Sequence, residues 1–209
     1  MEINILVHGN SEGYNSEFMQ NIAKCLEKGG KKVFGFDFNY IVKGLEPSES
    51  LRDELKQLKK VIQNQKDKGY KDINLIGKSL GGTICLNPEI VNDKSIKNIL
   101  IIGFPIILGF PADLVLLKNK PVQARKEQIE RYNRLFEEFG KDTKKITIIQ
   151  GGDDLLGDKK IIKSFQSSLS VKPKILYVEN ASHGFKPVRE GKTFNQNMEE
   201  LEKLILSRI

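Results

Sequence analysis

The sequence has few of the features on which several protein classes depend. Only two of its 209 residues are cysteines, Cys25 and Cys85, and both lie on apolar faces of helical patterns, so we expect buried free thiols and no disulfide framework. No apolar run approaches the roughly 20 residues that a helix needs to cross a bilayer. Met1-Glu2 leads directly into a strand pattern and not into a signal peptide. These absences predict a soluble, cytoplasmic protein without a membrane span.

Internal repeats and low-complexity linkers are also missing, and the composition is that of a globular protein. Hydrophobic residues make up 39% of the chain and charged residues 29%, and 209 residues suffice for one domain, 1–209, with a sizeable core. The net charge is +7, but acidic residues alternate with the basic ones, as in 52–56 and 66–68. That mixture is typical of solvated helix faces. No recognition motif supports a nucleic-acid site, so we expect no nucleic-acid partner.

Six strand patterns alternate with helical patterns along the chain. The predicted strands are 3–7, 32–38, 73–76, 98–103, 145–150 and 174–178. The predicted helices are about 16–28, 47–68, a short one after the third strand that Pro88 stops, one that ends at Gly140, one around 161–169 and one around 194–205; segment 39–46 is predicted to be a loop. The run 99–102 is continuously apolar, which is typical of a strand buried on both faces. This alternation predicts a doubly wound, mostly parallel six-stranded α/β sheet with helices on both faces.

The stretch 77–81, with the sequence GKSLG, follows the third strand and matches the G-x-S-x-G nucleophile elbow. In this motif the serine, here Ser79, occupies a strained backbone conformation between a strand and a helix, and its Oγ stands clear of the sheet. Side chains at Gly77 and Gly81 would collide with neighbouring backbone in so tight a turn. Ser79 is therefore a candidate nucleophile.

Two other interpretations of the same stretch have to be weighed. Gly77-Lys78-Ser79 resembles the end of a phosphate-binding P-loop, but that motif needs a glycine where the chain has Asp72, and the apolar run 73–76 replaces its flexible loop. A chance match in a structural turn is also common, because a five-residue motif with two free positions recurs by accident. The order of the other chemical groups along the chain has to decide.

A serine nucleophile needs a base to take its proton and an acid to orient the base. The chain has two histidines: His8 follows the first strand and precedes the serine, and His183 follows the last strand. Asp153 and Asp154 both follow the fifth strand and are candidates for the acid. In a doubly wound sheet the carboxyl ends of the strands share one edge, so we expect these groups to meet there.

These motifs in this order resemble the α/β-hydrolase family over nearly the whole chain. The quoted motifs are a strand running into His-Gly at 8–9, the elbow, a hydrophobic strand running into G-x-x-D at 151–154, and His-Gly-Phe at 183–185. The chain looks closest to small members, similar to dienelactone hydrolases and esterases or thioesterases. Two strands that usually precede the His-Gly strand are missing, as is a large cap. The resemblance implies a minimal sheet in the order 2-1-3-4-5-6.

The resemblance also implies roles for individual residues. The family order Ser, Asp, His makes Ser79 the nucleophile, Asp154 the acid in preference to Asp153, and His183 the base, with His8 a structural turn residue. The oxyanion hole would be formed by the backbone N–H groups of Leu80, after the nucleophile, and of Asn10, in the loop after the first strand. Asp158 is better interpreted as the N-cap of the next helix. Lys78, at the variable elbow position, predicts nothing about the substrate.

Segment 104–140 separates the fourth and fifth strands by far more than one crossover helix needs. Its first part is apolar and punctuated by prolines, and a helical pattern follows. Two interpretations stay open: an ordinary crossover helix with a long packed loop, or a small lid whose apolar side covers an acyl-binding pocket. The run 106–110 is compatible with a lid lining or with a dimer contact, so both a monomer and a homodimer remain possible.

Together these features predict a serine hydrolase that cleaves a small-molecule ester or thioester of a modest acyl group, with no metal or organic cofactor. An acyltransferase or a peptidase would use the same machinery. The alternative from another class is a catalytically silent binding or scaffold protein that keeps the hydrolase fold.

Overall fold

The computed structural model describes residues 1–48, 50–106, 121–157, 159–169 and 172–209. Six strands form one sheet in the order β2-β1-β3-β4-β5-β6, and every neighbouring pair is parallel. The strands are β1 (Glu2–Val7), β2 (Val33–Gly35), β3 (Asp72–Lys78), β4 (Ile96–Ile102), β5 (Ile146–Gly151) and β6 (Lys174–Val178). The predicted doubly wound sheet and its strand order are therefore confirmed.

Helices cover both faces of this sheet. They are α1 (Glu17–Lys28), α2 (Asn39–Lys43), α3 (Arg52–Asp67), α4 (Leu80–Cys85), α5 (Pro88–Val91), α6 (Pro121–Phe139), α7 (Lys159–Ser168) and α8 (Phe194–Leu206), with a 3₁₀ turn at Gly140–Lys145. Alternate strand residues point to opposite faces. In β1, Ile5 packs in a core cluster with α3 to α7, and Leu6 packs in a second cluster with α1 and α8.

Helix α1 shows how the sequence pattern produces these clusters. Ser16 caps its first turn by accepting a hydrogen bond from the Met19 N–H, and the apolar residues along one side of the helix are buried. Cys25 lies on its buried side, and Cys85 lies at the end of α4; both thiols are free, as predicted. Burial raises the pKa of the Cys25 thiol to about 11, and it raises the pKa of Cys85 as well. Both are protonated, unreactive core residues.

The region after β2 differs from the prediction in two ways. The second strand is only Val33–Gly35, shorter than the predicted 32–38, because it pairs on one side only and the chain then leaves the sheet. The apolar Phe38 that suggested a longer strand is fully buried, and its N–H donates to a ring nitrogen of His8. The predicted loop 39–46 contains the short helix α2, which buries Tyr40.

Two helix boundaries also differ from the prediction. Helix α3 begins at Arg52 and not near residue 47, and the residue before it, Leu51, has a positive φ of 55°. Pro88 follows the end of α4, as expected, but it also opens the next short helix, α5. There Asn87 is the N-cap and its side chain accepts the Glu89 N–H.

A ladder of asparagines crosses the sheet near the amino ends of three strands. Asn4 pairs in register with Asn74, and Asn74 with Asn98. Asn98 Nδ2 donates to Asn74 Oδ1 at 2.9 Å, and Asn74 Nδ2 donates to Asn4 Oδ1 at 3.0 Å. Asn4 in turn donates to the carbonyl of Lys32 at 3.0 Å. Buried amides paired in this way penalise any slip of register, because a slip would leave them unsatisfied.

The described part of segment 104–140 packs on the core. Phe104 and Ile106 are fully buried, and α6 contributes Tyr132, Phe136 and Phe139 to the same cluster. The lid interpretation depends on residues 107–120, and the cap predicted at Asp158 depends on residue 158; both lie outside the described residues.

Candidate active site

The predicted elbow joins β3 to α4 in a strained conformation. Ser79 has φ 51° and ψ −116°, a combination that a residue with a side chain rarely adopts. A Cβ atom on Gly77 would lie 2.6 Å from the Cα of Gly82, and one on Gly81 would collide with the carbonyl oxygens that end β1. The two glycines therefore allow β1, β3 and α4 to approach closely enough for the turn to form.

The structure brings Ser79, His183 and Asp154 together at the carboxyl edge of the sheet. His183 Nε2 lies 2.9 Å from Ser79 Oγ, and His183 Nδ1 lies 2.8 Å from Asp154 Oδ2. Ser79 follows β3, Asp154 follows β5 and His183 follows β6. The fold thus brings together a serine and a histidine that lie 104 residues apart in the sequence. The His183 side chain is 28% exposed and the Asp154 side chain is fully buried. The histidine thus connects an accessible hydroxyl to a buried carboxylate.

Asp154 is held by hydrogen bonds on both of its oxygens. Gln150 Nε2 donates to Oδ2 at 2.6 Å, and the N–H of Leu156 donates to Oδ1 at 2.8 Å. The Gln150 amide is itself fixed, because its Oε1 accepts from the N–H of Phe104 at 2.7 Å. Sequence reasoning missed Gln150, although a second polar residue in the buried strand 146–151 was a signal for it. Donors on both oxygens set the direction in which the carboxylate faces His183.

The neighbouring Asp153 faces away from this cluster. Its Oδ2 accepts from Arg189 Nη2 at 2.7 Å in an exposed ion pair. Only Asp154, of the two candidate acids, reaches a histidine ring in the described structure.

His8 lies in a separate, closed environment. Its side chain is fully buried, its Nε2 accepts the Phe38 N–H at 2.9 Å, and its Nδ1 lies 2.7 Å from the Gly9 carbonyl oxygen. The first contact requires an unprotonated Nε2, so the ring is the neutral tautomer that donates through Nδ1. Burial, the largest influence, lowers the pKa of His8, although Gly9 and the charge of Asp37 oppose it.

The two predicted oxyanion donors belong to elements that adjoin Ser79, the start of α4 and the loop after β1. Leu80 is the first residue of α4, where N–H groups have no acceptor within the helix. Asn10 lies in the loop after β1 and lines the same cavity as Ser79 and His183. Within the described ranges, neither N–H donates to a protein acceptor. Both are available to a bound oxygen atom.

The cavity at Ser79 has a volume of about 300 Å³ and lies between the loop after β1, the start of α1 and the loop after β6. Its lining includes the apolar Phe18 and Met19 and the charged Glu12 and Lys186. A larger cavity of about 660 Å³ lies behind α4, but none of the clustered reactive side chains lines it. We therefore place the candidate site at the smaller cavity.

The loop that carries His183 is held from α8. Asn197 Nδ2 donates to the carbonyls of Asn180 and Phe185, at 3.1 and 3.0 Å. Asn180 and Phe185 both have positive φ, 57° and 61°, so the loop makes two tight bends around the histidine. The fully buried Phe185 ring anchors the loop in the core cluster of α1 and α8. This packing limits where the imidazole can lie.

Membrane-spanning helices and clusters of metal-binding side chains are both absent from the described ranges. No helix there is both long enough and apolar enough to cross a membrane. Within the same ranges, no group of three or more histidine, cysteine and acidic side chains is placed to hold a metal ion.

Comparison with solved structures gives the same fold. The chain is similar to an esterase from Pyrococcus furiosus (20% identity, TM-score 0.69, covering 99% of this chain and 81% of that one). It is similar to an α/β serine hydrolase homologue from Coxiella burnetii (19% identity, TM-score 0.67, covering 99% of this chain and 84% of that one). It is also similar to a dienelactone hydrolase from Anabaena variabilis (14% identity, TM-score 0.64, covering 99% of this chain and 86% of that one). No curated protein sequence matches. The family model described as "Alpha/beta hydrolase domain" matches residues 2–209, and the chain therefore belongs to the α/β-hydrolase family.

Proposed function

We propose that this α/β hydrolase is a serine esterase or thioesterase in which Ser79, His183 and Asp154 form a catalytic triad. The observation that carries the proposal is the pair of contacts made by His183, with Nε2 2.9 Å from Ser79 Oγ and Nδ1 2.8 Å from Asp154 Oδ2. Both lie within the range expected for a nucleophile–base and a base–acid hydrogen bond. The solved esterases that share the fold are consistent with this assignment.

Acylation follows from the direction of these hydrogen bonds. Ser79 Oγ attacks the carbonyl carbon of the ester, and His183 Nε2 takes the hydroxyl proton. The tetrahedral intermediate collapses when its bond to the leaving group breaks, and His183 returns the proton to the departing alcohol or thiol. The acyl group is then attached to Ser79. Water repeats the attack with His183 as base, which releases the acid and restores the serine.

Asp154 orients the base and does not itself transfer a proton. It accepts from Nδ1–H, so the lone pair of Nε2 points at Ser79, and it stabilises the imidazolium that forms during the attack. Its own orientation depends on Gln150 and on the Leu156 N–H. Full burial of the Asp154 carboxylate strengthens its electrostatic interaction with His183 relative to one in water.

The backbone N–H groups of Leu80 and Asn10 hold the oxyanion in this proposal. They belong to two different elements next to Ser79 and have no protein acceptor within the described ranges. Donors of this kind stabilise the charge that develops on the carbonyl oxygen. The loss of one typically lowers kcat about 10²- to 10³-fold.

The substrate is a small molecule with a modest acyl group. The cavity of about 300 Å³ is at the lower end of the range for ligand sites. Phe18 and Met19 supply apolar contacts near Ser79. We expect kcat/KM for p-nitrophenyl esters, measured by nitrophenolate release, to be highest for short acyl chains and to fall with chain length. The matching thioesters, measured by thiol release, test the choice between the two bonds.

A fluorophosphonate probe tests the enzymatic function directly. The probe phosphonylates an activated serine, and we expect intact-protein mass spectrometry to show a single adduct on the wild type. Ser79→Ala should give none, and Ser207→Ala, which changes an exposed serine at the end of α8, should label like the wild type. A folded wild-type protein that does not label would favour the silent scaffold instead.

A further inference from the structure

The residue before the nucleophile, Lys78, directs its side chain toward the loop that carries the base. Its Nζ donates to the backbone carbonyl oxygen of His183 at 2.8 Å, across 105 residues of sequence. The Lys78 side chain is half-buried and lines the cavity beside Ser79 and His183. Consecutive residues at the end of β3 thus contact both the imidazole and the backbone of the same histidine.

Two aromatic rings flank the Lys78 ammonium. Nζ lies 5.5 Å from the centre of the Phe18 ring on α1 and 5.8 Å from that of the Phe185 ring, two residues after His183. Aromatic faces at these distances attract a cation. The three groups around Nζ come from two separate parts of the chain, α1 and the loop after β6, so the geometry restricts where the ammonium can lie.

A glycine at the end of β4 makes room for this contact. Gly103 has φ +64°, and a Cβ atom there would lie 2.8 Å from Lys78 Nζ and 3.3 Å from both Cε1 and Nδ1 of His183. Any larger residue would push the ammonium and the imidazole away from their observed positions. The backbone of β4 is thus shaped around Lys78 and His183 together.

From these contacts we propose that Lys78 is a positioning residue, which holds the His183 loop by its backbone carbonyl so that Nε2 faces Ser79. The proposal rests on the proposed function, because it concerns the reactivity of Ser79. Asn197 holds the same loop through the carbonyls of Asn180 and Phe185 from the side of α8. Lys78 holds its tip from the side of the nucleophile. A displacement of about 1 Å in a catalytic group can lower the rate about 10²-fold.

The charge of Lys78 distinguishes this role from ordinary packing. Desolvation lowers the pKa of Lys78 to about 8, although Asp154 and Glu12 face the ammonium and oppose the shift. The folded state therefore binds the proton less tightly than the unfolded state, and stability increases as the pH rises from about 8 toward 10.5. At pH 7 the ammonium is present and costs stability. A residue of this kind is expected to serve function more than folding.

The test compares kcat, KM and thermal unfolding for Lys78→Met, Lys78→Gln and the control Lys60→Met, which changes an exposed lysine on α3. For Lys78→Met we expect kcat to fall about 10- to 100-fold, because the loop is no longer held in place. KM should change by less than about threefold, since the cavity lining is otherwise kept. The unfolding midpoint should stay within about 2 °C of the wild type or rise. Lys78→Gln, which keeps an N–H donor, should recover part of kcat, and Lys60→Met should match the wild type.

The pH profile supplies a readout that packing alone would not change. The wild-type kcat should fall as the pH rises through about 8, because Lys78 loses the charge that strengthens its hydrogen bond. Lys78→Met should lack this decrease. The groups that face Lys78 are Glu12, Asp154 and the His183 ring, and all three are kept in the variant.

Histidine NMR reads the geometry without any turnover. The chain has two histidines, so the ¹³Cε1–¹Hε1 spectrum has two signals, and His8 serves as an internal reference for the fold. In Lys78→Met we expect the His183 signal to shift or broaden and the His8 signal to stay. An unchanged His183 signal with unchanged kcat would overturn the proposal, as would a parallel loss of activity and unfolding temperature. The wild type could also fail to react with the fluorophosphonate probe and to hydrolyse esters, while the His183 signal still shifts in Lys78→Met. That result would refute the hydrolase function but would support the contact between Lys78 and the His183 loop.

Discussion

The turn after β1 and the turn after β6 both carry a His-Gly pair at the carboxyl edge of the sheet, yet the two imidazoles have different surroundings. His8 is fully buried, and both of its nitrogens contact backbone groups, the Phe38 N–H and the Gly9 carbonyl. His183 is partly exposed, and both of its nitrogens contact side chains that can react or ionise. The same dipeptide thus forms a structural joint in one turn and a candidate base in the other. What distinguishes them is the set of partners that each ring reaches.

The largest effect should separate the two histidines. We expect His183→Ala to lower kcat/KM for a short aryl ester by about four to six orders of magnitude, because it removes the proposed general base. His8→Ala should keep the reactive groups but lower the free energy of unfolding by roughly 2–4 kcal/mol, since it leaves a cavity and an unpaired Phe38 N–H. Steady-state kinetics and urea unfolding measure the two losses. If His8→Ala abolished hydrolysis in folded protein while His183→Ala did not, the assignment of the base would be wrong.

The two neighbouring carboxylates Asp153 and Asp154 allow a matched comparison of the same kind. Asp154→Asn should lower kcat about 10⁴-fold, because an amide in this position favours the wrong tautomer of His183. Asp153→Asn removes only an exposed ion pair with Arg189, which contributes about 0–1 kcal/mol, and should leave kcat within about twofold of the wild type. Equal losses in the two variants would contradict the choice of Asp154.

A smaller effect should come from Gln150, which contacts Asp154 but not the histidine. Gln150→Leu removes one of the hydrogen bonds that orient the carboxylate and leaves the Phe104 N–H without its acceptor. We expect kcat to fall roughly 10- to 100-fold, in line with a small displacement of a catalytic group. Gln150→Glu is a useful partner, because a second carboxylate beside Asp154 should raise the pH at which activity appears. A pH–rate profile of both variants checks this.

The sequence predicted the sheet well because its signals are local. Apolar runs such as 99–102 are buried on both faces, and the parallel strand order follows from the alternation of strands and helices. The same order along the chain identified Ser79, Asp154 and His183, and the structure places His183 within hydrogen-bonding distance of both Ser79 and Asp154. Their catalytic roles remain predictions.

The features that sequence reasoning missed depend on contacts between distant residues. Lys78 contacts a carbonyl 105 residues away, and Gln150 pairs with a backbone group 46 residues away. The sequence around Lys78 or Gln150 therefore gives no sign of the distant backbone group that each one contacts. Phe38 suggested a longer β2 because its apolar character does not reveal that its N–H pairs with His8. Local sequence patterns thus predict helices and strands, whereas the residues that support the reactive side chains can be identified only from the three-dimensional structure.

The smallest effect concerns His8, in the turn after β1, and the pH dependence of the free energy of unfolding. Burial lowers the pKa of His8 below its ordinary value of 6.5, so the unfolded chain binds a proton more readily than the folded one. The free energy of unfolding should therefore decrease as the pH falls from 7 to 5. His8→Gln, whose amide oxygen can still accept the Phe38 N–H, should lack this contribution.

Urea unfolding of the wild type and of His8→Gln at several pH values isolates the contribution of His8, because the two proteins share their other titrating groups and those contributions cancel in the difference. The stability of the wild type relative to His8→Gln should fall steadily below pH 6.5. A difference that stays constant with pH would mean that His8 takes up a proton in the folded protein as readily as in the unfolded chain, so that it is protonated in the folded state at pH 5. In that case its Nε2 could not accept the Phe38 N–H, and the contrast between the two His-Gly turns would no longer hold.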